Sequence, residues 1–596
     1  MFLVLIETSG NQNYIFSTNK LKENIGASEL TYRAGTSWVL EAVDKVRGAS
    51  ESIDEVGKSV EEGIDNTISA NDLRQKLQDE KEIELANTEV EIIIATSGKA
   101  LLLTKKKETA KSIIRYVTHK ATKYAPGLDV CGVISKPFEW GNGLSEAINK
   151  IYKKHEEYRS YKPSPHLRFL RLPMIDECAT SGLPATDVDT KTADGKPVVR
   201  SSVSFSKRRY GEIGRKRIEN ILKEYDKNFS FSRSIRALNE EEFAEDTDEN
   251  EQSKKLDWLA VIHADGNGLG EIFLKFKEHI KNVIDSNKNK EVDRIYVNYL
   301  RKFSIAIDIC NEKAFNDALK AFPKNKNGLI PIMPIVLGGD DLTVVCDGKI
   351  AIEFTRKFLT AFEKETKCKS QEHLDGIIPE IAEKALGVSR LSACAGIAII
   401  KPKFPFSVAY HLAESLMKSA KEVKRKLTHF HLGKEKPYPC SALDFHILYD
   451  SSSVDFDSIR SKLENKDQNY YLHSRPYVVT SETDIQEANG LEWAKFHQFS
   501  KLEEKVNVLD SKDNEGKQEL PNSQIYDLKA GLFLSKSIAD ARYLLIRDRY
   551  RDQKITTLAG SEDSLFQEEE RDSGMYITGL LDAIDAAEFL TVEDEK

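Results

Sequence analysis

The chain is poor in the features that mark secreted, membrane-spanning or unaided nucleic-acid-binding proteins. Its seven cysteines, at 131, 178, 310, 346, 368, 394 and 440, lie far apart with no CxxC pair. A scattered, odd set of thiols builds no disulfide frame and points to a reducing, cytoplasmic location. A basic excess is missing too: 87 Lys and Arg stand against 96 Asp and Glu, a formal net charge of −9. Proteins that grip nucleic acid alone neutralise its phosphates with such an excess, so any nucleic acid is expected to be held through partner subunits or a local patch. No stretch approaches the ~18 apolar residues of a membrane span, and no membrane association is expected. The opening MFLVLIETSG lacks a basic segment and meets Glu7 at once, so it reads as a buried strand rather than a signal peptide. No His-Asp dipeptide occurs anywhere, which removes the usual cue for a metal-dependent HD phosphohydrolase or nuclease.

What is present is a normal globular balance, 40% hydrophobic and 31% charged, over 596 residues. That length suggests roughly three to five domains. The pattern predicts an α+β chain. A strand over 2–6, a helix over 21–46, a hairpin in VEIIIATSGKALLLT, a helix in KETAKSIIRYVTHKATKY and a strand over 128–134 give the order β-α-β-β-α-β. That is the order of a ferredoxin-like domain. The order recurs after 258: a strand, an apolar helical stripe (Leu269, Ile272, Phe273, Phe276, Ile280), a helix over 292–322, a hairpin, a helix over 350–363, the strand LSACAGIAII and a helix in FSVAYHLAESLMKSAKEVKRK. Pro331 and Pro334 place the first arm of that hairpin at an edge, or start it after Pro334. Between the copies lie Cys178 and the acidic run NEEEFAEDTDENEQSKK, an expected linker. After 451 the pattern turns mostly helical.

Two motifs carry chemistry. In LAVIHADGNGLG an apolar strand ends in Asp265, and Gly266-Asn267-Gly268 turns into a helix near Leu269. A helix start favours a phosphate ligand, although Asn267 could simply cap the helix. In LGGDDL, Gly338 and Gly339 allow positive φ and close approach of a ligand, and Asp340 and Asp341 follow on the turn. Adjacent like charges repel unless a cation joins them, and Mg²⁺ wants such oxygens. A ferredoxin-like sheet sets the first strand's end beside this turn, so Asp265 and Asp340 should converge, as metal-assisted nucleotidyl transfer requires. The first copy has Ser97-Gly98-Lys99-Ala100 at the corresponding turn and at best Glu7 at the strand end, so it should be catalytically silent. Cys178 has no cysteine nearby to share a zinc with. His429 and His431 read as surface histidines, and His263 as a packed strand residue.

The ordered set SGNQNYIFSTNKLKENIGASEL, CATSGLPA, HADGNGLG, LGGDDL, SACAGIAIIKPKFP with SLMKSAK, CSALDFHIL and SRPYVVT resembles the large, polymerase-like subunit of type III CRISPR–Cas effector complexes, most closely the Cmr type. The resemblance implies a first palm-like domain over 1–160, a zinc-finger-like insertion and acidic linker over 161–250, a second palm with the GGDD site over 251–450, and a C-terminal helical domain over 451–596. It implies an antiviral nucleotidyltransferase that joins ATP into cyclic oligoadenylates when target RNA is bound, within a complex of partner subunits and guide RNA. Carried over, Asp265, Asp340 and Asp341 fall on the catalytic, metal-binding acids for Mg²⁺ or Mn²⁺. Gly338 and Gly339 fall on the phosphate-cradling turn and Lys421 on the lysine of the AK motif; with Gly266, Asn267 and Gly268 of the helix start they make the expected nucleotide-binding set.

The sequence departs from the pattern in three places. The N-terminal HD nuclease domain common in the family is missing, so single-stranded DNA cleavage is not expected. The insertion keeps only Cys178 of the expected cysteines, which leaves bound zinc doubtful. Asn267 also stands where related cyclases often carry an acid. The alternative reading is a non-catalytic scaffold that binds nucleotide without turnover. A GGDEF-type dinucleotide cyclase is disfavoured by Leu342 and Thr343 after the acids, and a template-directed polymerase by the lack of a basic channel.

Overall fold

The unbroken apolar run near the N-terminus forms strand β1 (Phe2–Ser9), in which Leu3, Val4, Leu5 and Ile6 are all buried. A strand reads this way when both faces of its sheet are covered. The computed structural model describes residues 1–48, 68–163, 165–190, 196–223, 230–231, 257–287, 291–322, 329–449, 455–512, 517–550, 553–570 and 573–590. The acidic run before 256 and the last six residues of the sequence lie outside the described residues.

With β2 (Val90–Thr96), β3 (Lys99–Thr104) and β4 (Asp129–Ile134), β1 makes an antiparallel sheet in the order β2-β3-β1-β4. This is the ferredoxin-like arrangement expected from the element order. A second sheet repeats it: β5 (Leu259–Gly266), β6 (Ile332–Gly338), β7 (Asp341–Asp347) and β8 (Ala393–Ile400) run β6-β7-β5-β8. β6 is indeed at the edge, and its register shifts between Pro334 and Val336. A proline has no N–H to donate, so a bulge on an edge strand is where one is tolerated. The two cores run across both sheets. Leu3, Leu5, Ala260 and Ile262 share one, and Val4, Ile6, Leu259 and Val261 share the other, as the alternation of side chains along a strand demands.

Several expected elements are divided. The predicted helix over 21–46 is α1 (Leu21–Gly35) and α2 (Ser37–Gly48), separated at Thr36. The break falls where the first hairpin crosses: a Cβ on Gly35 would lie 2.0 Å from the Thr96 carbonyl oxygen, so only glycine fits. The stripe after 268 is three short helices, Leu269–Leu274, Phe276–His279 and Lys281–Ser286, rather than one. α3 (Lys107–Tyr124) follows its prediction. α4 (Ser202–Lys223) packs along α1, backbone to backbone at Gly26 and Gly211. Glu29, between Arg33 and Arg217, supplies a buried ion network there, with bonds of 2.7 Å to each.

In the second half, α5 (Val292–Ala318) and α6 (Ala351–Lys367) pack on each other, and α7 (Phe406–Ala420) packs on β8. The predicted helix over 406–426 stops at Ala420, so Lys421 stands at its C-terminal end. Beyond 451 the chain is not purely helical. Tyr477–Val478 pairs with Ala442–Ile447, a strand parallel to β8, at the outer side of the six-stranded second sheet, and four two-residue strands form a small sheet of their own. His429 is buried against Tyr438 rather than exposed, a second correction. Cys178 is buried with its Sγ 3.4 Å from Thr180 Oγ1, and among the described residues it joins no group of three potential metal ligands. No helix among the described residues is long and apolar enough to cross a membrane.

Candidate active site

The β6–β7 hairpin closes on the pair Gly338 and Asp341, which leaves Gly339 and Asp340 as its two-residue turn. Gly339 takes φ +61°, the positive value that a type II′ hairpin turn demands of its first central residue. On the neighbouring strand, Ala264 pairs with Leu342. Asp265, one residue further along β5, therefore comes level with the turn.

Carboxylate oxygens of Asp265, Asp340 and Asp341 lie within 4.8 Å of one another. Gly266 makes that approach possible: a Cβ there would sit 2.7 Å from Asp340 Oδ2 and 2.8 Å from Asp340 Cβ. A Cβ on Gly339 would meet nothing within 4 Å, so the turn faces open space. Asp340 is half-buried, and desolvation followed by the charge of Asp265 pushes its carboxyl up to about 6 from the ordinary 3.8. Asp341 is raised well above the ordinary carboxylate value by desolvation and by Asp340 and Asp265. Its side chain has surface toward solvent, so for this residue the crowding of like charges is the firmer cause.

Residues 258–428, which hold this site, match the family described as Cas10/Cmr2, second palm domain. No curated protein matches the chain in sequence. Among solved structures, the chain is similar at 11% identity to a type III-B Cmr-beta structure in the apo state, over 98% of this chain and 81% of that one, with a TM-score of 0.44. It is similar at 11% to a Csm1–Csm4 cassette in complex with pppApA, over 98% and 69%, with a TM-score of 0.45. With an apo Csm1–Csm4 cassette the identity is 13% over 73% of this chain, at a TM-score of 0.37, and the chain spans 55% of that one.

The Lys421 ammonium, from the end of α7, contacts Asp265 Oδ2 and lies 3.3 Å from the Gly266 carbonyl oxygen. It thus joins the acids of the palm. Asn267 does not. Its side-chain amide donates to Ser392 Oγ at 3.0 Å, Cys394 Sγ at 3.4 Å and the Cys440 carbonyl at 3.1 Å. It does not cap the helix either, and the helix after Gly268 has only six residues, too short to act as a strong dipole. Gly268, at φ +76°, turns the chain away from the strand.

Two residues in α5 escaped the sequence reading. Asp308 Oδ1 accepts the Gly339 N–H at 2.5 Å, and Asn311 Nδ2 donates to the carbonyls of Gly339 at 2.9 Å and Asp341 at 3.2 Å. Together they hold the turn from behind. A signal existed: both are polar, spaced i, i+3, on a helix whose neighbours Ile305, Ile307 and Cys310 are core.

The crowding has a thermal consequence. In the folded state Asp340 ionises near 6, against 3.8 unfolded, so its charge opposes folding above about pH 6 and ceases to do so below the ordinary range. Asp340→Asn is expected to raise the melting temperature of the metal-free chain by about 2 °C at pH 8. The gain should disappear by pH 4, and the variant should lose the further rise that millimolar Mg²⁺ gives the parent. Calorimetry at both pH values checks this.

Proposed function

We propose that the chain is the polymerase-like subunit of a type III CRISPR ribonucleoprotein and that its second palm joins ATP into cyclic oligoadenylates when target RNA is bound. The observation that carries the proposal is the meeting of Asp265, Asp340 and Asp341 within 4.8 Å, beside a turn that opens to solvent. The first sheet is its catalytically silent counterpart, the first palm-like unit. Its register supports that role: Glu7 pairs with Lys99 and with Cys131, while Asp265 pairs with Cys394 in the same relation. Lys99, held over the Tyr152 ring at 4.5 Å, stands where Asp341 stands in the other copy and offers no oxygen to a cation.

Joining two nucleotides requires the 3′-hydroxyl oxygen of one to bond to the α-phosphorus of the other, with loss of the hydroxyl proton and departure of pyrophosphate. The donor set fits Mg²⁺ or Mn²⁺: every donor is a hard oxygen, and among the described residues Lys421 is the cation that pairs with the three acids. Asp265, Asp340 and Asp341 would hold the ion, which when bound supplies charge neutralisation and Lewis acidity at the phosphates. Lys421 neutralises Asp265 in the resting site and has its ammonium available to phosphate oxygens once Asp265 is otherwise occupied. Gly266 and Gly339 keep side-chain bulk away from the acids. Asp308 and Asn311 fix the turn, so the acids need little reorganisation on binding.

The test is incubation of the chain, alone and in its assembled complex, with radiolabelled ATP and Mg²⁺, with and without complementary target RNA. RNA-dependent formation of oligoadenylate and pyrophosphate is the expected result. No product under any condition would favour the scaffold reading.

A further inference from the structure

Behind the turn, on the opposite side of α5, a second group of potential ligands is assembled. Glu365 is in the last turn of α6, and Cys368 and His373 follow in the loop that leads to the helix Ile377–Leu386. A carboxylate oxygen, the Cys368 Sγ and an imidazole nitrogen all lie within 4.8 Å of one another. The His373 Nε2 is 2.7 Å from Glu365 Oε2, and its Nδ1 is 2.7 Å from Ser370 Oγ. His373 is buried, whereas Cys368 and Glu365 keep some exposure, so the cluster has a way in from solvent.

We propose that Glu365 Oε2, Cys368 Sγ and His373 Nε2 bind a zinc ion that clamps the end of α6 to this loop.

The donor types argue for zinc. A thiolate, an imidazole and a carboxylate are the set zinc takes, whereas Mg²⁺ selects oxygen alone, so this cluster and the palm acids select different ions. Donors around tetrahedral zinc stand about 3.3–3.8 Å apart given bond lengths of about 2.0–2.3 Å, so the Glu365 carboxylate must swing outward by a fraction of an ångström. Ser370 is the partner that a ligating histidine needs. With Nδ1–H donating to its oxygen, Nε2 is left as the lone-pair nitrogen facing Glu365 and Cys368. The loop bends sharply to bring His373 back. Leu374, Asp375 and Gly376 take φ of +51°, +61° and +77° in succession, and positive φ is uncommon for the first two residue types.

Binding displaces the Cys368 thiol proton to solvent and opens the Glu365–His373 contact. Its place in the fold gives it a purpose. Cys310 Sγ lies 3.5 Å from the Glu365 carbonyl oxygen, and the next residue, Asn311, holds the two carbonyls of the catalytic turn. Lys313, on the same helix, pairs with Glu372 of the loop at 2.8 Å. The clamp therefore stiffens the wall against which the turn is set.

The full chain, equilibrated with zinc and passed through a desalting column, should retain about one zinc per chain by elemental mass spectrometry. Cys368→Ser and His373→Gln should each reduce retained zinc at least tenfold, and Cys178→Ser should not. Cobalt in place of zinc should give a thiolate charge-transfer band, which carboxylates alone cannot produce, and Cys368→Ser should remove it. A readout without substitution guards against misfolded variants: zinc should slow iodoacetamide alkylation of Cys368, mapped by peptide mass, at least tenfold. Unchanged zinc in both ligand variants, loss of the cobalt band in Cys178→Ser instead, or no protection of Cys368 overturns the assignment.

Discussion

Replacing Asp340 and Asp341 together with alanine is expected to abolish pyrophosphate release from ATP, a loss of at least about 1000-fold, while the chain stays folded. The two halves of that result have separate causes. Activity falls because two of the three carboxylates that meet within 4.8 Å are removed, and Asp265 alone, already in contact with Lys421, leaves no pair of acids for a cation to bridge. The fold survives because both side chains are held in like-charge company, which burial makes worse for the half-buried Asp340. Their loss relieves repulsion and breaks no ion pair that the turn needs. The backbone contacts that shape the hairpin, from Asp308 and Asn311 to Gly339 and the Asp341 carbonyl, do not involve the substituted side chains. Steady pyrophosphate release in the assembled complex and a melting curve of the isolated chain are the two measurements. Full activity in the double variant would remove Asp340 and Asp341 from the chemistry. Loss of activity with a collapsed melting transition would show instead that the pair is structural.

The parts of this molecule that follow local rules were legible before any coordinates. Both hairpins, the buried first strand and α3 were predicted from apolar alternation and turn residues, which act within a few positions of each other. The approach of Asp265 to Asp340 also followed, because a ferredoxin-like strand order leaves that turn only one neighbour. What failed was long-range. Asn267, which precedes a helix, read as a nucleotide-binding residue or simply a helix cap, yet its amide answers to Ser392, Cys394 and Cys440, at sequence separations of 125, 127 and 173. The break at Thr36 is dictated by a hairpin some sixty residues onward pressing on Gly35, and helix propensity carries no trace of that. Asp308 and Asn311 were missed for a related reason. Polar residues in a buried helix announce that something is being held, and they do not say what.

Gly266→Ala is expected to lower kcat for ATP joining by about 100-fold, and it isolates geometry from charge. The substitution removes no ligand and adds a single methyl group. That methyl would lie 2.7 Å from Asp340 Oδ2, 2.8 Å from Asp340 Cβ and 3.0 Å from Leu269 Cδ1. Distances of this kind cannot persist, so either the Asp340 carboxylate rotates away from Asp265 or the end of β5 separates from the turn. Rotation about χ1 can move the carboxylate but not the Asp340 Cβ, so the end of β5 and the turn must also part, and the carboxylate is displaced from Asp265 with them. Its displacement would spoil the shared oxygen cage and reduce the affinity for Mg²⁺, read as loss of the melting-temperature rise that the ion induces. Gly270→Ala is the matched control, because a Cβ there meets nothing within 4 Å, and an added alanine in a helix favours the fold. Activity within twofold of the parent in both variants would mean that Asp340 and Asp265 do not need to be close, and a reaction built on their shared cation would have to be abandoned.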